Sequence, residues 1–380
     1  MKFRVERDVF SEAVAWAARS LPQRPSVPVL AGVMIDAGVD GLVLSGFDYE
    51  TSARVSIPAE IAEEGKALVS GRLLADISRS LPSKPIDLGT DGTRVSLACG
   101  SARFSLQTMP VEDYPALPEL PTPSGTVRSD VFAAAVGQAV TAAGRDDMLP
   151  VLTGIRMEIE GSTIALMATD RYRLSLRECE WSPDQSDLSA TALVPARVLA
   201  DTAKSLTSSG DVTIALASAA TGDGLIGFEG AAGGGLRRTT TRLLDGEFPK
   251  VRALFPSESV TVAHVDTPAL IEAVRRVSLV AERNTPVRLS FSESMVTLEA
   301  GSGDEAQATE SLEATVDGAD ISIGFNPSYL LDGLGALDAP VAHLAFTQST
   351  RPAALAGATG HGEGPDLDFR YLLMPVRLQG

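Results

Sequence analysis

Two aspartates in matching segments, Asp48 in GFDYET and Asp170 in ATDRYRL, and a recurring set of arginines are the residues of this chain best placed to do chemistry. Those residue types allow two readings. Carboxylates beside guanidinium groups could form an active site that hooks small anionic substrates. Alternatively, the aspartates are turn residues, whose short side chains bond the backbone just ahead of them, and the arginines meet phosphate. No nucleophile or base accompanies the aspartates, so the turn reading is the simpler one. The three histidines, His264, His343 and His361, are scattered along the chain and read as surface or structural residues. The two cysteines, Cys99 and Cys179, are too few for a disulfide framework or a cysteine-based zinc site. No G-x-x-x-x-G-K-S/T, G-x-S-x-G, H-E-x-x-H or dinucleotide fingerprint occurs. The expectation is therefore a protein with no catalytic residues, no metal ligands and no cofactor.

Phosphate binding has a clearer pattern. Arg72 and Arg79 are seven residues apart, and so are Arg197 and Lys204. Seven residues is close to two helical turns, so each pair projects from one face of a helix. Arg19, Arg24 and Arg145 add charge near the end of the preceding helix. Against this stands the overall balance of 32 Lys plus Arg and 49 Asp plus Glu, a net charge of −17. Spread evenly, that charge argues against nucleic acid, because phosphates reward a basic footprint. Net charge does not report distribution, however, and an acidic exterior can coexist with one basic surface.

The elements that must position these side chains come as a repeat. Pro28, Val29, Leu30, Gly32, Leu44 and Asp48 recur as Pro150, Val151, Leu152, Gly154, Leu166 and Asp170, a constant offset of 122 residues from Pro28 to Pro150. Each copy reads as two alternating strands around a Gly-containing turn, followed by the aspartate loop. A helix candidate precedes each copy, from Asp8 to Leu21 and again from Asp130, and a diverged third version starts at Asp266 with Pro268 in its first turn. Second helices follow Val69-Ser70-Gly71-Arg72, Val194-Pro195-Ala196-Arg197 and Phe325-Asn326-Pro327-Ser328, with Ser70 and Asn326 near the N-cap and Pro195 and Pro327 in the first turn. The third unit's second helix carries Asp332 and no Lys or Arg, while Arg275, Arg276 and Arg283 lie on its first. Proline-rich stretches, Tyr114 to Gly125 and Gly246 to Ser257, read as linkers. They divide the chain into units at 1–121, 126–248 and 257–380, in line with the size at which a single core stops growing. Two helices separated and followed by strands in each unit give an α+β class, a helix pair on antiparallel sheet. No apolar run suits a signal peptide or a membrane span, so a soluble cytoplasmic protein is expected.

Taken together, PVLxG after the first helix, VPAR before the second, ATDRYRL, DGEFPKV, GFNPSYLLD and a terminal YLLMPVRL resemble the bacterial DNA polymerase III β subunit family, the β sliding clamps, over essentially the whole chain. The chain runs two residues, Gln379 and Gly380, past the Arg377-Leu378 with which such clamps commonly end. The resemblance implies three clamp domains, a head-to-tail homodimer closed into a ring, and helices lining a hole that holds double-stranded DNA without reading its sequence. It implies a processivity factor of replication, not an enzyme, that tethers the replicative polymerase α subunit, the clamp loader, other polymerases and repair proteins through short linear peptides, with no membrane involved. DNA contacts would come from Arg24, Arg72, Arg79, Arg145, Arg197 and Lys204. By motif, the peptide cleft would include Leu152, Thr169, Arg171, Tyr172, Arg173, Leu174, Pro249, Leu254, Asn326, Tyr329, Met374, Pro375, Val376, Arg377 and Leu378. Many relatives have Gly-His where this chain has Arg171-Tyr172, and some have Arg where it has Ala253. The subunit joint would bring a strand around Phe104 and Leu106 against the region of Leu279. A specialised second-copy clamp, resistant to a cleft inhibitor, is the alternative within the family; an enzyme of small anionic substrates is the alternative outside it.

Overall fold

The computed structural model describes residues 1–22, 24–207, 210–217, 224–281, 285–301 and 306–377. Six α-helices are found among them: α1 (Arg7–Ala17), α2 (Gly71–Ser80), α3 (Ser129–Ala139), α4 (Ala196–Ser205), α5 (Thr267–Val277) and α6 (Pro327–Ala336). Every strand pairing among these residues is antiparallel, the α+β class that the repeat predicts.

Chain compactness draws two units across the three repeats. The first comprises Met1–Ala133, Trp181–Leu188 and Asp201–Leu243, the second Ala134–Glu180, Ser189–Ala200 and Leu244–Gly380, and the cut falls inside α3 and α4. The reason lies in the sheets. In the first unit, Thr51–Ile57 of the first repeat pairs with Gly235–Arg242 of the middle one, which extends a single sheet to fourteen strands. In the second unit, Arg173–Glu180 of the middle repeat pairs with Phe369–Leu373 of the last, within a nine-stranded sheet. A separate four-stranded sheet holds Ala308–Glu313, Met295–Ala300, Val287–Ser292 and Ile321–Phe325 in that order. The middle repeat thus lends strands to each unit.

Local sequence explains the helix ends. Asp266 accepts a hydrogen bond from the Ala269 amide at 2.8 Å, with Pro268 in the first turn of α5. Asn326 likewise receives the Ser328 and Tyr329 amides at the start of α6, satisfying donors that a helix leaves unpaired. Ser70 occupies the N-cap of α2 but makes no such bond, and Pro195 ends the strand Ser189–Pro195 instead of opening α4. The first helix is shorter than expected. It gives way to a 3-10 turn at Ala18–Ser20, where the Ser20 hydroxyl bonds the Ala17 carbonyl.

The repeated PVL segments are themselves 3-10 turns, Pro28–Ala31 and Pro150–Thr153, and the strands begin at the following glycine. A Cβ at Gly32 would stand 2.5 Å from Leu68 Cδ1, and one at Gly154 would stand 2.8 Å from Leu193 Cδ1. Each glycine therefore marks a close approach of the strand to its neighbour. α1 buries Phe10, Ala13, Val14, Trp16 and Ala17, and α2 buries Leu74, Ala75 and Ile77, in one cluster with Val33, Ile35, Leu42, Leu44 and Leu97 of the sheet.

Candidate functional site

On α2, Arg72 and Arg79 are exposed while Leu74, Ala75, Ile77 and Ser78 are buried, so the basic pair occupies the helix's solvent face. On α4, Arg197, Asp201 and Lys204 are exposed and Leu199, Thr202 and Ala203 are buried. Arg79 lies 3.8 Å from Asp76 with both side chains in solvent, a pair that screening makes weak. Arg72 donates to the Pro22 carbonyl at 3.3 Å. Among the described residues, the side chains of Arg24, Arg72, Arg145, Arg197 and Lys204, all exposed, form no ion pair. The third repeat differs. On α5, Arg275 pairs with Glu272, and Arg276 donates to both oxygens of Glu310, so these cations already have counter-charges. Arg283 lies outside the described residues.

The two aspartates are turn residues. Asp48 Oδ1 receives the Glu50 and Thr51 amides at 2.9 and 2.6 Å, and Asp170 Oδ1 receives the Tyr172 and Arg173 amides at 3.0 and 3.1 Å. The residue after each aspartate is left-handed, Tyr49 at φ 75° and Arg171 at φ 80°. Both carboxylates are engaged in shaping a loop, which removes the support for an anion-hooking active site.

The second of these loops builds a site. Arg173 is 6% exposed and donates from Nε to Asp170 Oδ2 at 2.9 Å and from Nη1 to Asp332 Oδ2 at 2.5 Å. Its guanidinium carbon lies 4.4 Å from the Tyr329 ring centroid, and the Tyr371 hydroxyl donates to the Tyr329 carbonyl at 2.9 Å. Burial disfavours the charge on Arg173, but the Tyr371 hydroxyl and the Asp332 and Asp170 carboxylates outweigh it and raise the guanidinium pKa above its usual value. Burial also raises the Tyr371 hydroxyl. Arg173 is thus a fixed strut joining the loop, α6 and the last strand. On this strut Tyr172, 54% exposed, stacks against Tyr329 with centroids 6.2 Å apart.

A cavity of about 510 Å³ opens beside the stack, lined by Leu152, Arg171, Tyr172, Arg173 and Tyr329 from the expected set. It is also lined by Ala143, Gly144, Asp146, Leu149, Asp170, Ser328 and Asp332, which motif reasoning missed, and by Arg145, which was expected to touch DNA. The lone charged residue of α6 was a usable signal for Asp332. Two members of the expected cleft are engaged elsewhere. Arg173 is not free to meet a peptide, being committed to Asp170 and Asp332. Leu174 forms no floor, since it is buried in the core with Met167, Leu176 and Leu372.

Thr169 is buried as well, its hydroxyl donating to the Arg173 carbonyl and receiving the Arg171 amide. Pro249, Leu254, Met374 and Arg377 are exposed, and Asn326, Pro375 and Val376 are half-buried. The Met374 amide donates to the Tyr172 carbonyl at 2.9 Å and the Val376 amide to the Gly324 carbonyl at 2.8 Å, which ties the terminal run to the loop and to the strand Ile321–Phe325. Leu378 lies outside the described residues.

Of the three joint residues, Phe104 is 37% exposed and Leu279 is 85% exposed, but Leu106 is only 3% exposed and belongs to the first unit's own core. Leu106 itself therefore offers no apolar surface, and of this pair only Phe104 does. Its strand, Ala102–Met109, pairs along its length with Arg94–Cys99 but meets Gly65–Ser70 only through Thr108 and Met109. From Ala102 to Gln107 one edge is open among the described residues.

Comparison with known proteins identifies the family. Residues 1–118 match the N-terminal domain of the DNA polymerase III β subunit, residues 126–250 its central domain and residues 252–377 its C-terminal domain. The chain is 60% identical to the β sliding clamp of Streptomyces coelicolor over the full length of both proteins. It is 46% identical to the β sliding clamp homolog GriR of Streptomyces muensis over 99% of each. The crystal structure of the sliding clamp of Bacillus subtilis superposes with a TM-score of 0.89 at 27% identity, covering all of both chains. A Pseudomonas aeruginosa clamp bound to griselimycin does so with 0.89 at 26% and the same coverage. With three consecutive domain matches and full-length identity of this order, the chain belongs to the DNA polymerase III β subunit family, the β sliding clamps.

Proposed function

We propose that the protein acts as a head-to-tail homodimer that encircles double-stranded DNA, with Arg72, Arg79, Arg197 and Lys204, joined by Arg24 and Arg145, facing the phosphates. As a β sliding clamp it is a processivity factor and not an enzyme. The observation that carries the DNA reading is the repeated, exposed pair of cations on α2 and α4 in a chain of net charge −17. Contacts to phosphate fix no sequence, and without base readout a ring can slide. An acidic exterior disfavours DNA binding from outside.

The cleft around Tyr172 and Tyr329 then takes short peptides from the polymerase α subunit, the clamp loader and repair proteins. Leu254 and Met374, apolar and exposed outside the cavity's lining, would extend it toward aliphatic and aromatic side chains, and a thioether adapts to several partners. The units of function are the three domains 1–121, 126–248 and 257–380. The place of work is the cytoplasm, where the replicating DNA is; no helix among the described residues is long and apolar enough to cross a membrane. Identity to the Streptomyces coelicolor clamp, at 60%, exceeds that to GriR, at 46%, so the specialised-copy reading is not favoured.

The test is charge reversal of Arg72, Arg79, Arg197 and Lys204 together. The variant should remain dimeric and lose retention on nicked circular DNA, and the slope of log affinity against log salt should shrink by about 0.9 for each phosphate no longer neutralised. Unchanged retention would show that these helices do not face DNA.

A further inference from the structure

In the first unit a cavity of about 910 Å³ lies between the sheet and the segment Val111–Pro123. We infer that this cavity is a binding site for a small ligand that carries one phosphate or carboxylate group on an apolar body, with Arg54 as the residue that holds the anionic head. The roof is a preformed wall. Pro115, Pro118 and Pro121 recur every third residue, and Ala116, Glu119 and Thr122, also three apart, are the exposed ones between them. That periodicity matches the three-residue turn of a polyproline II helix, a conformation with no internal hydrogen bonds that leaves its backbone groups open to a ligand. Leu120 seats this strap on the sheet, its Cδ1 occupying the space that a side chain at Gly227 would need.

The floor is a row of residues across paired strands, Met34, Ser45, Arg54, Arg238 and Glu229. Arg54 and Arg238 are directly opposite each other, an arrangement that is destabilising between like charges unless a counter-charge intervenes. Arg238 has that counter-charge, since its Nε donates to Glu229 at 2.8 Å, and Lys66 pairs with Asp36 at 2.9 Å. Arg54 is exposed to the cavity and has no ion pair or side-chain hydrogen bond among the described residues, Glu119 on the strap included. One cation therefore remains unmatched in a concave site of a strongly acidic protein. Val43, Leu117 and Leu120 supply apolar walls, and the volume is that of a small-ligand pocket.

Calorimetric titration of the full-length protein with phenyl phosphate and with benzoate, which share a planar body and differ in the head, tests the inference. At least one should bind with one site per chain, and the tighter of the two identifies the head as phosphate or carboxylate. Arg54→Gln should weaken that binding at least about tenfold, the loss expected for one charge-assisted hydrogen bond. Arg94→Gln, which removes an exposed arginine outside the cavity, should leave it unchanged. Absence of binding by both probes, equal binding by Arg54→Gln, or an equal loss in Arg94→Gln would each overturn the assignment.

Discussion

Arg171 holds a left-handed backbone conformation, φ 80°, that a residue with a Cβ adopts at a cost of about 1–2 kcal/mol. The turn tolerates it because Asp170 and Thr169 fix the loop from inside. Arg171→Gly should therefore raise stability by about 1 kcal/mol, part of the relief being offset by glycine's greater freedom when unfolded; a shift of the urea midpoint to higher concentration is the measure. The aspartate turn was legible in the sequence because a short side chain bonding the amides two and three residues on is a local event. The histidines were not. His264 and His343, far apart in the chain, are directly paired across strands with ring nitrogens 3.0 Å apart, and His264 Nε2 also lies 3.0 Å from the Glu363 carbonyl. Burial, with His264 adding to it, lowers the His343 pKa from 6.5 to about 4. A depressed folded pKa means that the unfolded chain binds the proton more readily, so this residue's contribution is present above pH 6.5 and is lost as pH falls from there to about 4. His343→Gln should flatten the acid limb of stability against pH in that window, and an unaltered limb in chemical denaturation would assign it to other groups.

The strand Ala102–Met109 separates what alternation reveals from what it hides. The pattern Ala102-Arg103-Phe104-Ser105-Leu106 correctly puts Phe104 and Leu106 on one face, because side chains alternate along a strand. Whether that face is covered depends on strands and helices distant in sequence, and Leu106, opposite buried Val95, is covered while Phe104 is less so. Phe104→Glu and Leu106→Glu should consequently behave differently. The first should give folded monomers by sedimentation with little change in melting temperature, since it places charge only at the open edge. The second buries an unpaired carboxylate in the core and should cost several kcal/mol whatever the oligomeric state. Equal melting temperatures for the two would contradict the buried position of Leu106. The helices were the more legible elements, because capping and amphipathicity are encoded within a few turns, as at Asp266 and Asn326.

Across the whole molecule the three-fold repeat was visible in the sequence, whereas the two compact units were not. Pairing of Thr51–Ile57 with Gly235–Arg242, and of Arg173–Glu180 with Phe369–Leu373, joins residues almost two hundred positions apart in sequence, beyond any local signal. The second of these pairings decides what the chain's end does. Phe369–Leu373 is an interior strand, held by Arg173–Glu180 on one side and Ala353–Ala358 on the other, so its place in the sheet is independent of the residues after it. Pairing stops before Pro375, which has no amide proton to offer. Beyond it the Val376 amide bonds the Gly324 carbonyl, and the residues on either side of this pair, Met374 before Pro375 and Arg377 after Val376, stay exposed. Deleting Pro375 to Gly380 removes that bond and the end of the proposed cleft, and leaves the strut Asp170–Arg173–Asp332 and the basic faces of α2 and α4 intact. The truncated protein should thus retain its dimer and its hold on circular DNA, yet lose polymerase stimulation and binding of a Gln-Leu-x-Leu-Phe-like peptide. Fluorescence titration of such a peptide separates the two capacities, and full affinity after truncation would place partner docking away from the terminal run.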